Sequence, residues 1–350
     1  MERGEQLRAW SYARQRIGDP ATTPEQALRA VVAVYATHPT SPLALWARTS
    51  SFSAASYRRL DEGGKAVRMP AMRQTVFLIP RKSAARVFTA VRASPKIVDK
   101  TLTRQDLSRS AYERVAKKVL AAANEPITSR DLEEVVGLKG PKLASILRAL
   151  RYEGRILTLA GESLNMAPHR YVAAETRVPE GLDGGDELKA LSWLAGEYLR
   201  AYGPARIKDF AWWAGITKGA ATMAIEPHRT ADIGDGLLLI AKDEAAFDGV
   251  SPLRGEVALL PKWDAYTMGL APDGRERFVH PDVYSAVYTP IGVGLPGDGN
   301  PIVLVDGEAV ATWTFTRKDG PRFQPFDRLT GSVRKEVDER LEVVAGLLSG

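Results

Sequence analysis

The chain has 350 residues, 45% of them hydrophobic, with 48 Lys and Arg against 42 Asp and Glu and a net charge of +6, enough for roughly two to four folded domains with substantial cores. No run approaches about eighteen apolar residues, and "MERGEQLRAW" lacks the charged-then-apolar order of a secretory signal, so a soluble, cytoplasmic, nucleoid-associated chain is expected. Cysteine is absent and the four histidines (His38, His169, His228, His280) are scattered, which excludes disulfides, thiol nucleophiles and cysteine-ligated metals and leaves no cofactor to expect.

From the N-terminus, helices are expected near Glu5 to Gln15 and over Pro24 to Ala36, with another from about Pro42. "KAVRMPAM" and "TVFLIP" read as strands. Together these make a first unit over residues 1–105 that closes with a basic connecting segment. Between Arg81 and Lys118 lie eleven Lys or Arg against three acids, and between Leu138 and Arg155 five against one, so the rest of the chain is net acidic. Signs segregated in this way read as a footprint for a polyanion, because each Lys or Arg that meets a phosphate releases counterions. Solvated helix faces are the alternative.

A second unit spans residues 106–182. Tyr112, Val115, Val119 and Ala123 share one helical face, Thr128 or Ser129 caps a short helix that Gly137 ends, and Pro141 opens a third with Leu143, Ile146, Leu147 and Leu150 as its buried stripe. Strands come next at Ile156 to Leu159 and Leu164 to Ala167, with "GES" as their turn. Three helices and a hairpin make a winged helix. Its third helix carries Lys139 and Lys142 at the start and Arg148 and Arg151 further on, where a recognition helix meets phosphates or a groove edge. Lys96, Lys100 and Arg155 are further candidates in the two basic segments.

The same grammar recurs over residues 183–250, after the linker "PEGLDGGDE": a long helix, a Gly-Pro break, a short helix ending near Gly215, a helix from Thr217 and a hairpin around Leu237 to Ile240. Residues 251–350 change character. "EVALLPKWDAY" and "PIVLVDGEAVATWTF" read as an antiparallel β region, closed by a helix from about Ser332 to Leu348. The expected class is α+β: three tandem winged-helix units plus a C-terminal antiparallel β region.

Five blocks in register carry a resemblance. "VVAVYATHPTSPLALWAR", "RMPAMRQTVFLIP", "YLRAYGPARIKDFAWWAGI", "LLPKWDAY" and "PIVLVDGEAVATW", in that order, resemble the tandem winged-helix proteins that include the AlkZ-like DNA glycosylases, over nearly the whole chain. The resemblance implies a concave basic channel for double-stranded DNA. In characterised members it also implies a metal-free monofunctional glycosylase that removes bulky N7-alkylated purines, including adducts left by genotoxic natural products. No heptad or dimer helix is evident, which suits a wrapped monomer.

The resemblance also locates the site. Where characterised members carry Gln-apolar-Gln or Gln-apolar-Asp, this sequence has Tyr35-Ala36-Thr37. An N7-alkylated guanine is a cationic leaving group, so the enzyme needs little general acid but must stabilise an oxocarbenium-like sugar and place a water. A threonine hydroxyl can position that water and a tyrosine can stack or donate a hydrogen bond; neither is anionic. His38 is the neighbouring candidate base, although a continuing helix would turn it about 100° from Thr37. Capping of the helix before Pro39 is the alternative for Thr37 and His38, and a satisfied core hydroxyl that for Tyr35.

"MRQTVFLIP" departs from the family pattern too, with Gln74 for a glycine and Phe77 for a histidine. Arg73 is retained and reads as a DNA contact or as half of a salt bridge. The Gln74 amide could stand in for a lost glutamine. Asp264 in "LLPKWDAY" reads either as a site carboxylate or as a turn cap paired with an arginine. Trp46, Trp193, Trp212, Trp213, Trp263 and Trp313 are core by default, with one of them free to stack on a base. Two functions stay open: a glycosylase acting through Tyr35, Thr37 and His38, or a non-catalytic DNA-binding protein for lesion recognition or regulation.

Overall fold

The computed structural model describes residues 1–161, 163–166, 170–290 and 298–350. Helices alternate with antiparallel sheets along the whole chain. Among the described residues, no helix is long and apolar enough to cross a membrane.

The first segment differs from expectation at its centre. Thr23 and Gln26 form a capping box that starts helix Pro24–Ala30, with Pro24 in the first turn, where its missing N–H costs nothing. The helix stops at Ala30 instead of running to Ala36. Val31, Val32 and Val34 are stiff at χ1 and weak helix formers, and Val32 turns the chain with a φ of 66°. Beyond that turn the chain is extended: Val34–Tyr35 is a strand paired antiparallel with Val76–Pro80. The helix expected from Pro42 is a single turn, Leu43–Trp46, and a longer one, Ala54–Glu62, is capped by Ser53. The basic connecting segment folds into two helices, Arg81–Val91 and Pro95–Thr103.

In the second segment Ser129–Val136 is capped by Thr128 and ended by Gly137 at a φ of 69°, and Gly140–Tyr152 buries the stripe that its periodicity implied. The hairpin differs from the expected one. Residues 164–166 turn, Glu162 and residues 167–169 lie outside the described residues, and Ile156–Leu159 pairs with Arg170–Ala173. Tyr171 and Val172 suit a pleated surface better than the polar stretch before them.

The two hairpins merge into one six-stranded sheet. From one edge its strands are Val34–Tyr35, Val76–Pro80, Ala66–Pro70, Ile156–Leu159, Arg170–Ala173 and Ile127–Thr128. The halves join where Arg68 pairs with Thr158. That junction is cemented by buried Arg68, which donates to Asp61 at 2.8 Å and to the Tyr57 hydroxyl at 2.7 Å.

The third segment runs as helices Glu187–Tyr202, Ile207–Ala214 and Lys218–Ile225, then a hairpin of Thr230–Asp232 with Leu238–Ile240. The C-terminal region is a four-stranded antiparallel sheet ordered Gly320–Pro325, Glu308–Thr316, Ile302–Val305 and Val257–Leu260. Helix Gly331–Ser349 covers it with Val337, Leu341, Val344 and Leu348. One large apolar core joins the first, third and C-terminal segments and takes in Leu157, Leu159 and Val172 from the hairpin of the second. The second segment has a core of its own, which Val98 and Leu102 of helix Pro95–Thr103 complete.

One buried ion pair ties the C-terminal region to the first segment. Arg48 grips Asp264 through both nitrogens, at 2.9 and 2.7 Å, and both side chains are fully buried. Arg48 also donates to Ala44 O and Gln15 Oε1, while Asp264 accepts the Tyr266 N–H and so caps helix Ala265–Met268. The structure therefore takes the cap-and-arginine reading of Asp264. Removing one partner strands the other charge away from water: Asp264→Ala should lower the unfolding free energy by about 3–5 kcal/mol in urea titrations, and the apolar pair Arg48→Met with Asp264→Leu by much less.

Candidate active site

The edge strand puts the substituted tripeptide on a sheet, not at a helix end. Successive side chains of an extended chain point to opposite faces, and Ala36 N–H still bonds Val76 O at 3.0 Å beyond the strand. Ala36 is buried, while Tyr35 is half-buried and Thr37, in the bend that follows, is exposed. Tyr35 sits opposite Phe77, its ring 4.6 Å from that phenyl and 5.2 Å from the Trp263 indole. The helical offset expected between Thr37 and His38 does not arise, because residues 37–40 form bends and turns.

His38 is half-buried and packs edge-on against Trp263 at 5.6 Å. Its Nδ1 accepts the Thr40 N–H at 3.2 Å and lies 2.8 Å from the Thr40 hydroxyl. A ring nitrogen that accepts a backbone N–H carries no proton, so the neutral ring bears its hydrogen on Nε2. Burial, reinforced by Lys262 and opposed by Asp298, holds the imidazole below its ordinary value of 6.5. In this arrangement His38 offers a donor at Nε2 and no free basic nitrogen.

Arg73 and Gln74 form the tip of the hairpin between Ala66–Pro70 and Val76–Pro80, both left-handed with φ of 52° and 58°. Glycine is the residue such a turn favours, which gives a physical reason for the glycine of the family pattern at the Gln74 position. Gly215, at a φ of 76°, lets the end of helix Ile207–Ala214 approach this tip: a Cβ there would lie 3.0 Å from Arg73. The Arg73 guanidinium lies 3.9 Å over the Trp212 ring. Arg275, fully buried, stacks 4.7 Å from the same ring and 4.4 Å from Tyr288, with both terminal nitrogens unpartnered among the described residues. Within those residues neither arginine meets a carboxylate. Burial pulls Arg73 below arginine's usual range, with Tyr35 opposing and Arg275 adding to the effect. The salt-bridge reading of Arg73 is thus replaced by a cation–π column. Tyr35, Arg73, Phe77 and Trp263 line one small cavity. The Gln74 side chain is half-buried and has no hydrogen-bond partner among the described residues.

One carboxylate near this cluster has no signal in the sequence. Asp298 accepts the Trp263 indole N–H and pairs with the Lys262 ammonium, both in short contacts, and remains about a quarter exposed. Trp263 itself has a φ of 58° and bonds Gly299 O through its N–H at 3.1 Å. Asp298 lies in a Gly- and Pro-rich stretch that in sequence says only "turn", and Arg275 lies in "APDGRERFVH", which reads as an exposed charge run.

The basic candidates divide into two groups. Lys96, Lys100, Lys139, Lys142 and Arg148 are exposed and have no ion-pair partner among the described residues. Arg151 and Arg155 belong elsewhere. Arg151 packs inward and donates to Leu147 O, and Arg155 pairs with Glu113 and Glu153. Several arginines of the first basic segment are likewise neutralised, Arg81 by Glu180 and Arg92 by Glu187. His228 bonds Ser192 O at 2.7 Å, and His169 lies outside the described residues.

A family model described as "DNA glycosylase AlkZ-like" matches residues 28–347. Among solved structures, the chain is similar to Streptomyces sahachiroi DNA glycosylase AlkZ, with a TM-score of 0.76 at 18% identity, over 98% of this chain and 96% of that one. At that identity the likeness speaks for the fold. No curated protein matches the chain.

The His38 geometry has a measurable consequence. Its folded-state value is depressed, so its contribution to stability is complete above the ordinary 6.5 and is lost as pH falls through the lowered value. Denaturation compared at about pH 7.5 and about pH 5 should show a larger acid loss for the wild type than for His38→Asn.

Proposed function

The chain belongs to the AlkZ-like DNA glycosylase family, and from that membership we propose that it hydrolyses the N-glycosidic bond of bulky N7-alkylated guanine in double-stranded DNA. It acts as a metal-free, cofactor-free, monofunctional monomer, in repair or in self-resistance to a genotoxin. Its three helix-and-hairpin segments serve as winged-helix units over residues 1–105, 106–182 and 183–250, and residues 251–350 buttress the site. One observation carries the reading: Tyr35, at the end of an edge strand, lines a cavity with Arg73, Phe77 and Trp263, and Thr37 stands exposed two residues further on.

In this mechanism the cationic base departs without general acid, and catalysis lies in placing water and stabilising the sugar cation. The exposed Thr37 hydroxyl orients the water. His38 contributes a hydrogen bond from Nε2 and does not act as base, a revision of its expected role that comes from the Nδ1 contact. Tyr35 stacks against the extruded nucleotide. Arg73 and Gln74, at the hairpin tip, meet the flanking backbone, while Lys96, Lys100, Lys139, Lys142 and Arg148 meet phosphates further out. A second reading, lesion recognition without chemistry, is favoured by one fact: neither Tyr35 nor Thr37 supplies an amide or a carboxylate.

Single-turnover base release from duplex DNA carrying N7-alkylguanine separates the two. The glycosylase should exceed spontaneous depurination and lose about ten-fold or more in Thr37→Ala, the scale for a misplaced water. Tight binding with no release would establish the recognition reading instead. Independently, Lys139→Ala with Lys142→Ala should weaken binding to all DNA sequences alike and reduce the salt slope by about one for each phosphate no longer neutralised; an unchanged slope removes these lysines from the interface.

A further inference from the structure

The tripeptide lacks an anion, yet the reaction transfers positive charge from the base to the sugar. We propose that Asp298 supplies the missing carboxylate, a role that rests on the glycosylase reading. Trp263 is the link, since its indole packs against both Tyr35 and His38, at 5.2 and 5.6 Å. The N–H of that same indole donates to Asp298 Oδ1, and Lys262 holds Oδ2. One aromatic ring thus connects the carboxylate to the tripeptide strip, and the field of Asp298 reaches His38.

Asp264, next in sequence to Trp263, does not serve, because it is fully buried and spent on Arg48. Asp298 keeps two features that a working group needs. It is partly exposed, and each of its oxygens accepts one side-chain hydrogen bond, leaving lone pairs for a water. Its two donors come from adjacent residues of one strap and fix the carboxylate plane.

The cationic column of Arg73, Trp212 and Arg275 borders the cavity that Tyr35 and Trp263 line, through Arg73, and Asp298 holds the indole N–H of that same Trp263. Positive charge on that side and negative charge at Asp298 favour migration of charge off the base and onto the sugar as the bond breaks. In the step, the C1′–N9 bond breaks and its electron pair stays with the base, which leaves as neutral N7-alkylguanine. Water attacks C1′, and its proton passes to the Asp298 carboxylate and on to solvent.

The test uses the full-length chain, single-turnover release of N7-alkylguanine and, separately, the affinity for the lesion-bearing duplex. Asp298→Asn should slow release on the order of 10²-fold while leaving affinity within about twofold, the pattern of an interaction made only in the transition state. Asp298→Glu should recover part of the rate. Lys262→Gln, which breaks the ion pair but keeps the carboxylate, should slow release far less than Asp298→Asn. Equal losses in Lys262→Gln and Asp298→Asn would make the pair purely structural and overturn the proposal, as would an Asp298→Asn enzyme as fast as wild type. If Asp298→Asn shows a collapsed thermal transition, Lys262→Gln decides: a folded Lys262→Gln enzyme on the order of 10²-fold slower than wild type overturns it. A wild type that binds but releases nothing overturns the glycosylase reading first, and this inference with it.

Discussion

Everything at the site hangs on the bidentate pair of Arg48 and Asp264. Two charges without solvent exposure are costly to desolvate, and they persist because the geometry is fork to fork and further hydrogen bonds reach Ala44 O, Gln15 and the Tyr266 N–H, with Arg48 Nε alone of the guanidinium nitrogens left without a partner among the described residues. The pair joins a residue next to the one-turn helix Leu43–Trp46 to the segment that carries Trp263. No sheet connection brings Trp263 to Tyr35 and His38, since Trp263 lies more than 200 positions away, in a turn after strand Val257–Leu260, and that strand and Val34–Tyr35 belong to different sheets. A polar contact of this kind specifies one arrangement where apolar packing alone would tolerate several.

The second constraint is electrostatic. Arg275 is buried with its terminal nitrogens unpartnered among the described residues, and it shares the Trp212 ring with Arg73. Ring faces attract guanidinium groups, but by less than a carboxylate would, so the column retains net positive potential. Beside Trp263 stands the pair of Lys262 and Asp298. The site is therefore polarised by groups that come from separate stretches of chain, none of them inside the tripeptide that sequence comparison would single out.

Much of the fold was legible because its signals were local. The caps at Thr128 and Thr217, the stops at Gly137 and Gly215 and the stripe Leu143–Ile146–Leu147–Leu150 placed the helices of the second and third segments within a residue or two. The expectation failed where tertiary pairing overrode a weak pattern. Val31 to Val34 continue an apolar run, and only the neighbouring strand Val76–Pro80 makes its end extended. The hairpin partner of Ile156–Leu159 was misplaced for a similar reason, as the polar loop is longer than "GES" suggested. At the site, Tyr35, Thr37, His38 and Arg73 were visible through their motif, whereas Asp298 and Arg275 were not. What sets them apart is their neighbours distant in sequence, which no window of residues encodes. Arg151 and Arg155 show the converse, since charge counting cannot tell a phosphate ligand from an arginine already spoken for by Leu147 O or Glu113.

The separate core of the second segment has one more implication. Its helices pack on each other around Tyr112, Ile146 and Leu150, while its hairpin pairs with the first at Arg68 and Thr158 and sends Leu157, Leu159 and Val172 into the main core. Changes at exposed Lys142 and Arg148 alter the charge of this face without touching the packing of either core. Over evolutionary time, the charge of that face and the packing around Tyr35 and Trp263 can drift separately: a lineage can retune one while the other stays as it was.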